Sequence, residues 1–391
     1  MHQIRTYNSI SIKGLEKFPR DNYEIASELP NPDAFLLRSQ KLHEIEFPST
    51  LKAIARAGAG VNNVPLERCS EQGIVVFNAP GANANAVKEL VLAGMLLGAR
   101  DIYQGMCFVG GLKSQEGLDP LLEKEKKRFA GTELRGKTLG VVGLGNIGSL
   151  VANMGLSLGM KVCGYDPAIS VEAAWRLSSK VQKMDNLNSL FAQCDYISLH
   201  LPAIEATKGL INQALLNVVK PSTVLLNFAR GEIVNKEDII KALDENRLHR
   251  YISDFPANDT LGHPKIMQMP HIGASTEEAE DNCAIMVADQ LIDFLENGNI
   301  SNSVNFPQID LARTTPVRIT ITNRNVPKVL GQITAIIAEY NLNIVDMLNK
   351  SRDGLAYNII DLEELPCAAS LEALGSIEEV INLRVINGSQ S

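Results

Sequence analysis

The sequence predicts an α/β protein with two parallel-sheet domains followed by a small third domain. Short apolar segments alternate with segments of helical length through most of the chain, which is typical of parallel sheets with crossover helices. Beyond residue 315 the order changes to strand, helix, strand, strand, helix, strand, which indicates a separate βαββαβ sandwich. At 391 residues with 45% hydrophobic residues, the chain is long enough for several hydrophobic cores.

The first part of the chain has α/β character. Apolar segments bounded by turn-forming residues predict strands over 34–37, 51–55 and 74–77. A helical pattern follows over 89–100. This helix is more apolar than one buried face requires, so we expect the chain to associate into a homodimer or homotetramer.

A second α/β series predicts strands over 138–142, 161–165, 196–199, 223–227 and 251–253. Segments of helical length separate them, so we expect a parallel sheet with its ligands at the carboxyl ends of the strands. A further helix is predicted over 276–297, ending where Gly298 suits a C-cap. The third series predicts strands over 317–321, 344–349, 356–362 and 377–385, with helices over 328–340 and 369–374.

The stretch TLGVVGLGNIG carries a Gly-x-Gly-x-x-Gly pattern between a predicted strand and a predicted helix. Gly143 suits the tight turn, Gly145 allows a pyrophosphate to approach the backbone, and Gly148 allows close packing of helix and strand. Alone, the pattern is also compatible with a plain glycine turn. In this context it is typical of the Rossmann dinucleotide-binding fold.

Asp166 closes the next predicted strand, where a carboxylate can accept hydrogen bonds from the adenosine ribose. An acid at this position would repel a 2′-phosphate, which favours NAD over NADP. The alternative is a turn-forming Asp before Pro167. The glycine pattern and Asp166 together predict binding of NAD.

Charge and composition exclude several other classes. A net charge of −8 and a pI near 5.4 disfavour a nucleic-acid partner. The N-terminus lacks a signal-peptide pattern and the longest apolar stretch, 90–99, is too short for a membrane span, so we expect a cytoplasmic protein. The cysteines have no metal-ligand spacing, so we expect reduced core residues and no metal site. The six cysteines are Cys69, Cys107, Cys163, Cys194, Cys283 and Cys367.

Four segments, RAGAGVNNV (56–64), FAGTELRGKTLGVVGLGNIG (129–148), NFARGEIV (227–234) and PHIGASTEEAE (270–280), resemble the D-isomer-specific 2-hydroxyacid dehydrogenases. The resemblance extends over nearly the whole chain. It implies a discontinuous substrate-binding domain (1–92 and 277–303), an NAD-binding domain (93–276), a linker (304–315) and a regulatory domain (316–391). It also implies further cofactor contacts by Asn146, Ile147, Leu201, Pro202, Phe228, Ala229, Arg230, Asp254, His271, Gly273 and Ala274.

Hydride transfer from a 2-hydroxy acid requires a base for the hydroxyl proton and a cation for the carboxylate. Arg230, at the end of an apolar strand, suits the cation, and His271, whose residue type titrates near neutral pH, suits the acid/base. The resemblance implies a third acidic residue that bonds the histidine. An alignment without a gap assigns this role to Asp259, whereas a one-residue gap assigns it to Asn258.

On the substrate side, the resemblance implies that the N–H groups of Ala57 and Gly58 hold the substrate carboxylate and Arg56 holds a distal phosphate. We therefore expect oxidation of D-3-phosphoglycerate to 3-phosphohydroxypyruvate, the first step of L-serine biosynthesis. The alternatives within the family are a D-lactate dehydrogenase or a reductase of hydroxypyruvate, glyoxylate or 2-oxoglutarate. A further alternative is an NAD-sensing binding protein similar to the C-terminal-binding-protein corepressors.

The third domain resembles the amino-acid-sensing ACT domains through NRNVPKVLGQI and NLNIV. This resemblance implies Asn323, Asn325 and Asn343 as effector ligands, with L-serine as the effector. The alternative is that the domain only promotes oligomerisation.

Overall fold

The computed structural model describes residues 1–114 and 116–387. The chain divides into two compact units. The first unit consists of Met1–Asn83 together with the chain from Glu277 onward, and the second unit is Ala84–Thr276. Among the residues described, no helix is long and apolar enough to cross a membrane.

The first unit begins with a parallel sheet of strand order β2-β1-β3-β4-β5. The prediction over 34–37 is confirmed, and the two later strands begin within two residues of their predicted starts. The elements are β1 (His2–Thr6), α1 (Ile12–Leu15), β2 (Tyr23–Ala26), β3 (Ala34–Leu37), β4 (Ala53–Arg56), α2 (Leu66–Glu71) and β5 (Val75–Phe77).

The second unit contains a parallel sheet of order β12-β11-β10-β9-β6-β7-β8. The strands predicted over 138–142, 161–165 and 196–199 are confirmed. The first elements are α3 (Ala84–Ala99), α4 (Ile102–Gly110), α5 (Leu118–Glu125), β6 (Thr138–Val142), α6 (Asn146–Ser157), β7 (Lys161–Tyr165), α7 (Val171–Arg176) and β8 (Gln182–Lys183). The remaining elements are α8 (Leu187–Gln193), β9 (Tyr196–Leu199), α9 (Gln213–Leu216), β10 (Val224–Asn227), α10 (Lys236–Asp244), β11 (Arg250–Ser253) and β12 (Ile266–Gln268).

Glycines bring α3 close to this sheet. A Cβ on Gly94 would lie 2.9 Å from Cζ of Phe228, and one on Gly98 would lie 2.9 Å from Cγ1 of Val224. The helix predicted over 89–100 therefore buries most of its apolar side chains inside the second unit. Leu96 is the large apolar side chain that it leaves exposed.

The chain returns to the first unit through α11 (Glu277–Asn297). Gly298 follows with φ +73°, and a Cβ there would lie 2.5 Å from Cγ2 of Thr320. The βαββαβ order is confirmed and forms an antiparallel sheet of order β14-β15-β13-β16, here called the C-terminal module. Its elements are β13 (Val317–Arg324), α12 (Val329–Glu339), β14 (Ile344–Arg352), β15 (Leu355–Leu362), α13 (Ala368–Gly375) and β16 (Val380–Asn387).

The two central strands of the C-terminal module's sheet, β13 and β15, are covered on both faces. One face packs Ile319, Ile321 and Ile360 against its own helices, whereas the other adds Tyr357 and Ile359 to the core of the first sheet. The segment predicted as a linker is also packed. Its Phe306 and Ile309 side chains are each 1% exposed.

The cysteines divide into two groups. Cys69, Cys163, Cys194 and Cys283 are buried, as expected. Cys107 and Cys367 are exposed, so the expectation that all six lie in the core is wrong for these two. Both lie on or beside short helices that bury few side chains.

Candidate functional site

The loop between β6 and α6 has the geometry that a dinucleotide requires. Gly143 has φ +87°, and a Cβ there would lie 2.4 Å from the carbonyl oxygen of His200. A Cβ on Gly148 would lie 1.9 Å from the carbonyl oxygen of Gly143. Gly145 instead faces open space, with no atom within 4 Å of the Cβ position. The N-terminus of α6, which has no side-chain cap, is thus open to a pyrophosphate.

Asp166 fixes this loop to the end of β7. Its Oδ2 accepts a hydrogen bond from Leu144 N–H at 2.8 Å, and its Oδ1 accepts one from Ala168 N–H at 2.9 Å. The second bond is the turn-forming contact expected of an Asp before a proline. Each carboxylate oxygen keeps a further acceptor site, so turn formation is compatible with ribose recognition.

The remaining predicted cofactor residues lie just beyond neighbouring strands of this sheet. Leu201 and Pro202 follow β9, whereas Phe228 and Ala229 follow β10 and are almost fully buried. Asn146 and Ile147 open α6, and Ala274 follows the His271 loop. Because carboxyl ends of parallel strands share one edge of a sheet, these residues gather on that edge.

His200, at the end of β9, is held as a neutral side chain. Its Nε2 lies 2.8 Å from Oγ of Ser198, and its buried Nδ1 has no hydrogen-bond partner in the part of the chain that the structure describes. Burial lowers the pKa of His200 to about 3. It therefore belongs to the apolar wall beside the glycine loop and is not suited to carry a proton.

Arg230 is presented by a turn that Asn227 builds. Asn227 is fully buried at the end of β10, and its Nδ2 donates to the carbonyl oxygen of Arg230 at 2.8 Å. Its Oδ1 accepts from Ala229 N–H at 3.2 Å. The Arg230 side chain is exposed, with Nη1 donating to the Ala229 carbonyl at 2.7 Å. Sequence reasoning missed Asn227, although a polar residue closing an apolar strand was a signal.

His271 lies on a loop that the Asp254 carboxylate holds. Asp254, at the end of β11, is 2% exposed and accepts hydrogen bonds from Ile272 N–H at 2.8 Å and Gly273 N–H at 2.7 Å. His271 has φ +57°, and its exposed ring lies against that of Phe255 with centroids 4.8 Å apart. The loop thus projects an imidazole into solvent from a fixed backbone.

The two candidates for a third catalytic residue lie in one short turn. Asp259 and Asn258 both lie in a 3-10 turn, Asn258–Thr260, and both are exposed. Over residues 1–114 and 116–387, no hydrogen bond or ion pair joins either side chain to His271. The choice between Asp259 and Asn258 therefore stays a prediction.

In the first unit, Arg56 closes β4 and its side chain folds back on its own loop. Its Nε donates to the Arg38 carbonyl at 3.0 Å, and Nη1 donates to the Gly60 carbonyl. The two N–H groups expected to bind substrate already have partners. Ala57 N–H donates to the Leu37 carbonyl and Gly58 N–H to the Arg56 carbonyl, each at 2.8 Å.

The donors that this loop leaves open lie further along. The N–H groups of Ala59 and Gly60 have no protein acceptor among the residues described. Which N–H groups after β4 keep no acceptor depends on the register of β4 on β3, which a local sequence pattern does not reveal. Arg38 forms an ion pair with Glu280 of α11, with Nη1 and Oε1 2.6 Å apart.

The three predicted effector residues occupy different environments in the C-terminal module. Asn323 is 4% exposed, and its Oδ1 accepts from Asn358 Nδ2 at 2.8 Å while its Nδ2 donates to the Arg324 carbonyl at 2.7 Å. Asn325 and Asn343 are exposed. No cluster of metal-ligating side chains occurs among the residues described.

Comparison with known proteins agrees with this geometry. Residues 94–273 match the family described as "D-isomer specific 2-hydroxyacid dehydrogenase, NAD binding domain". The chain is 39% identical over 293 residues to D-3-phosphoglycerate dehydrogenase of Synechocystis sp., covering 73% of this chain and 50% of that protein. It is 32% identical over 354 residues to the Haemophilus influenzae protein of the same name, covering 88% of this chain and 83% of that protein.

Among solved structures, the NAD⁺-bound 3-phosphoglycerate dehydrogenase of Entamoeba histolytica matches with a TM-score of 0.60 and 29% identity. The match covers 78% of this chain and 98% of that one. The chain spans about half the length of the Synechocystis relative. The match to the family's NAD-binding domain lies within the second unit, and the chain belongs to the D-isomer-specific 2-hydroxyacid dehydrogenase family.

Proposed function

We propose that this chain is an NAD-dependent dehydrogenase that oxidises D-3-phosphoglycerate to 3-phosphohydroxypyruvate, the first step of L-serine biosynthesis. The observation that carries this proposal is the arrangement of three side chains beyond adjacent parallel strands. Arg230 follows β10, Asp254 follows β11 and His271 follows β12, in the unit that also holds the glycine loop. The names of the relatives support the choice of substrate.

The reaction needs a hydride acceptor, which NAD supplies when bound. His271 would accept the proton of the C2 hydroxyl. Arg230 binds the substrate carboxylate and stabilises the developing carbonyl oxygen, since its planar guanidinium offers paired N–H donors. Asp254 keeps the His271 loop in its left-handed conformation, so the imidazole requires little reorganisation during the reaction.

The loop after β4 offers donors suited to an anion within the first unit. We infer that the open N–H groups of Ala59 and Gly60, together with the guanidinium of Arg56, favour an anionic group such as a phosphate. Backbone N–H groups in such a turn bind anions well. A guanidinium meets a phosphate with two parallel hydrogen bonds.

The test is the initial rate of NADH oxidation with 3-phosphohydroxypyruvate, compared with pyruvate and glyoxylate. A charge-assisted contact to the phosphate should favour the phosphorylated acid by about 10–100-fold in kcat/KM. Arg56→Met should reduce that preference while leaving the rate with glyoxylate nearly unchanged. Equal or faster rates with the unphosphorylated acids would leave only the general D-2-hydroxyacid activity.

We also propose that the chain forms a homo-oligomer, homodimer or homotetramer, through α4 and α5. Neither helix buries a side chain, and Tyr103, Met106 and Val109 are more than half exposed. Met106 and Val109 border an apolar groove of about 670 Å³ that Phe108 and Phe129 also line. We therefore assign the oligomer contact to α4 and α5, and not to the helix over 89–100 on which the sequence had suggested it. Light scattering should show Met106→Asp with a lower mass than the wild type.

For the C-terminal module we propose an ACT-like role in binding L-serine. The exposed Asn325 and Asn343, which lie at opposite ends of the sheet, are the candidate ligands, whereas the buried Asn323 accepts a hydrogen bond from Asn358 of β15. Calorimetric titration with L-serine should give a binding signal that Asn325→Ala weakens. Absence of binding by the wild type would favour a module that only supports oligomerisation.

A further inference from the structure

A positive side chain lies at the start of the helix that follows the glycine loop. Arg176 is the last residue of α7, and its Nη2 donates to Oδ1 of Asn146, the first residue of α6, at 2.8 Å. The Arg176 side chain is exposed, and no ion pair among the residues described involves it. An unpaired guanidinium therefore stands beside the N-terminus of α6.

Arg176 is held in this position at several points. Its carbonyl oxygen accepts from Nδ2 of Asn153 in α6 at 2.9 Å, and Oδ1 of Asn153 accepts from Ser178 N–H at 3.0 Å. Its own Nε donates to the Glu172 carbonyl at 3.2 Å. Because both backbone and side chain are tied to α6 or α7, little side-chain entropy remains to be lost when a ligand binds.

We propose that Arg176 binds the pyrophosphate of NAD, an inference that rests on NAD binding by the second unit. The space above Gly145 is open, and the N–H groups at the start of α6 point to the same region. One N–H of Nη2 donates to Asn146. The other N–H of Nη2 and both N–H groups of Nη1 can still donate hydrogen bonds to phosphate oxygens. Asp166 and Arg176 then bind different parts of the cofactor. The carboxylate of Asp166 accepts hydrogen bonds from the ribose hydroxyls, and the guanidinium of Arg176 donates to the phosphates.

The test measures the Kd of NADH through its fluorescence in the full chain and three variants. We expect Arg176→Gln, which removes the charge, to raise the Kd about 10-fold at low salt, and Arg176→Lys to raise it less. The difference from the wild type should shrink as salt screens the exposed charge. Asn153→Ala, which loosens the backbone of Arg176 but keeps its charge, is the comparison variant and should raise the Kd less than Arg176→Gln.

Competition experiments separate the phosphate from the rest of the ligand. Arg176→Gln should weaken binding of ADP but not of adenosine, which has no phosphate. An unchanged Kd in Arg176→Gln, an equal loss in Asn153→Ala, or a loss confined to NADPH would overturn the proposal. If the wild type bound no NADH, both the assignment of NAD as cofactor and the role of Arg176 would be wrong. If the wild type bound NADH and Arg176→Gln had the same Kd, only the role of Arg176 would be wrong.

Discussion

Oδ2 of Asp254 accepts a 2.7 Å hydrogen bond from the N–H of Gly273, two residues beyond His271. Oδ1 of the same carboxylate accepts from Ile272 N–H at 2.8 Å, and Asp254 is only 2% exposed. His271 has φ +57°, a left-handed conformation that is costly for a residue with a side chain. Two charge-assisted hydrogen bonds shielded from water offset this cost.

Asp254→Asn tests the role of this carboxylate. The amide of Asn has one accepting oxygen in place of two. Its NH₂ group would therefore face a backbone N–H from which it cannot accept a hydrogen bond. We expect the free energy of unfolding to fall by about 1–3 kcal/mol and kcat to fall more than NADH affinity. Urea unfolding and steady-state kinetics measure both. Asp185→Asn, at an exposed site of the same unit, is the control, and full turnover in Asp254→Asn would contradict the prediction.

His271→Asn separates the chemistry of the side chain from the shape of the loop. Asn tolerates positive φ better than other residues with a side chain, so the loop should keep its conformation. Loss of the proton acceptor should lower kcat by about 10²–10⁴-fold. The Kd of NADH should stay within a factor of about two, measured by fluorescence. Near-normal turnover would rule out His271 as the acid/base.

Asp259→Asn and Asn258→Ala distinguish the two candidates for the third catalytic residue. A carboxylate that bonds the imidazole orients it for proton transfer, so removing that carboxylate should lower kcat. We therefore expect Asp259→Asn to reduce kcat in steady-state assays while the Kd of NADH stays within a factor of about two. Asn258→Ala should leave kcat unchanged. The opposite pattern would move the role to Asn258.

The sequence predicted those elements whose signal is local. Strands 138–142, 161–165 and 196–199 are continuous apolar segments, because they are buried on both faces of a parallel sheet. β1 and β2 were missed, since HQIRT contains a single apolar residue, Ile4, and YEIA has Glu24 between Tyr23 and Ile25. β8, of only two exposed residues, carries no hydrophobic signal at all.

The site residues divide in the same way. The close packing at Gly143 and Gly148 and the turn at Asp166 follow from the residue types within a short stretch of chain. Which N–H groups after β4 keep no acceptor depends instead on the pairing of β4 with β3, two strands separated in the sequence.

Arg318→Met and Asp361→Leu, singly and together, test how the C-terminal module is attached to the rest of the first unit. Both native side chains are fully buried, and they pair through Nε–Oδ1 at 2.6 Å and Nη2–Oδ2 at 2.9 Å. Nη1 of Arg318 also donates to the carbonyls of Asn297 at 2.9 Å and Leu311 at 2.8 Å. The guanidinium thus joins β13 to the end of α11.

Removing either partner leaves a buried charge without its counterion. We expect Asp361→Leu alone to lower the free energy of unfolding by about 3–5 kcal/mol, because the guanidinium cannot regain water. The double variant should lose less than the sum of the single losses, since neither charge remains, although the carbonyls of Asn297 and Leu311 lose their donor. Urea unfolding of the four proteins gives the coupling energy. Strictly additive losses would mean that the carbonyl contacts of Arg318, and not its pairing with Asp361, hold the module on α11.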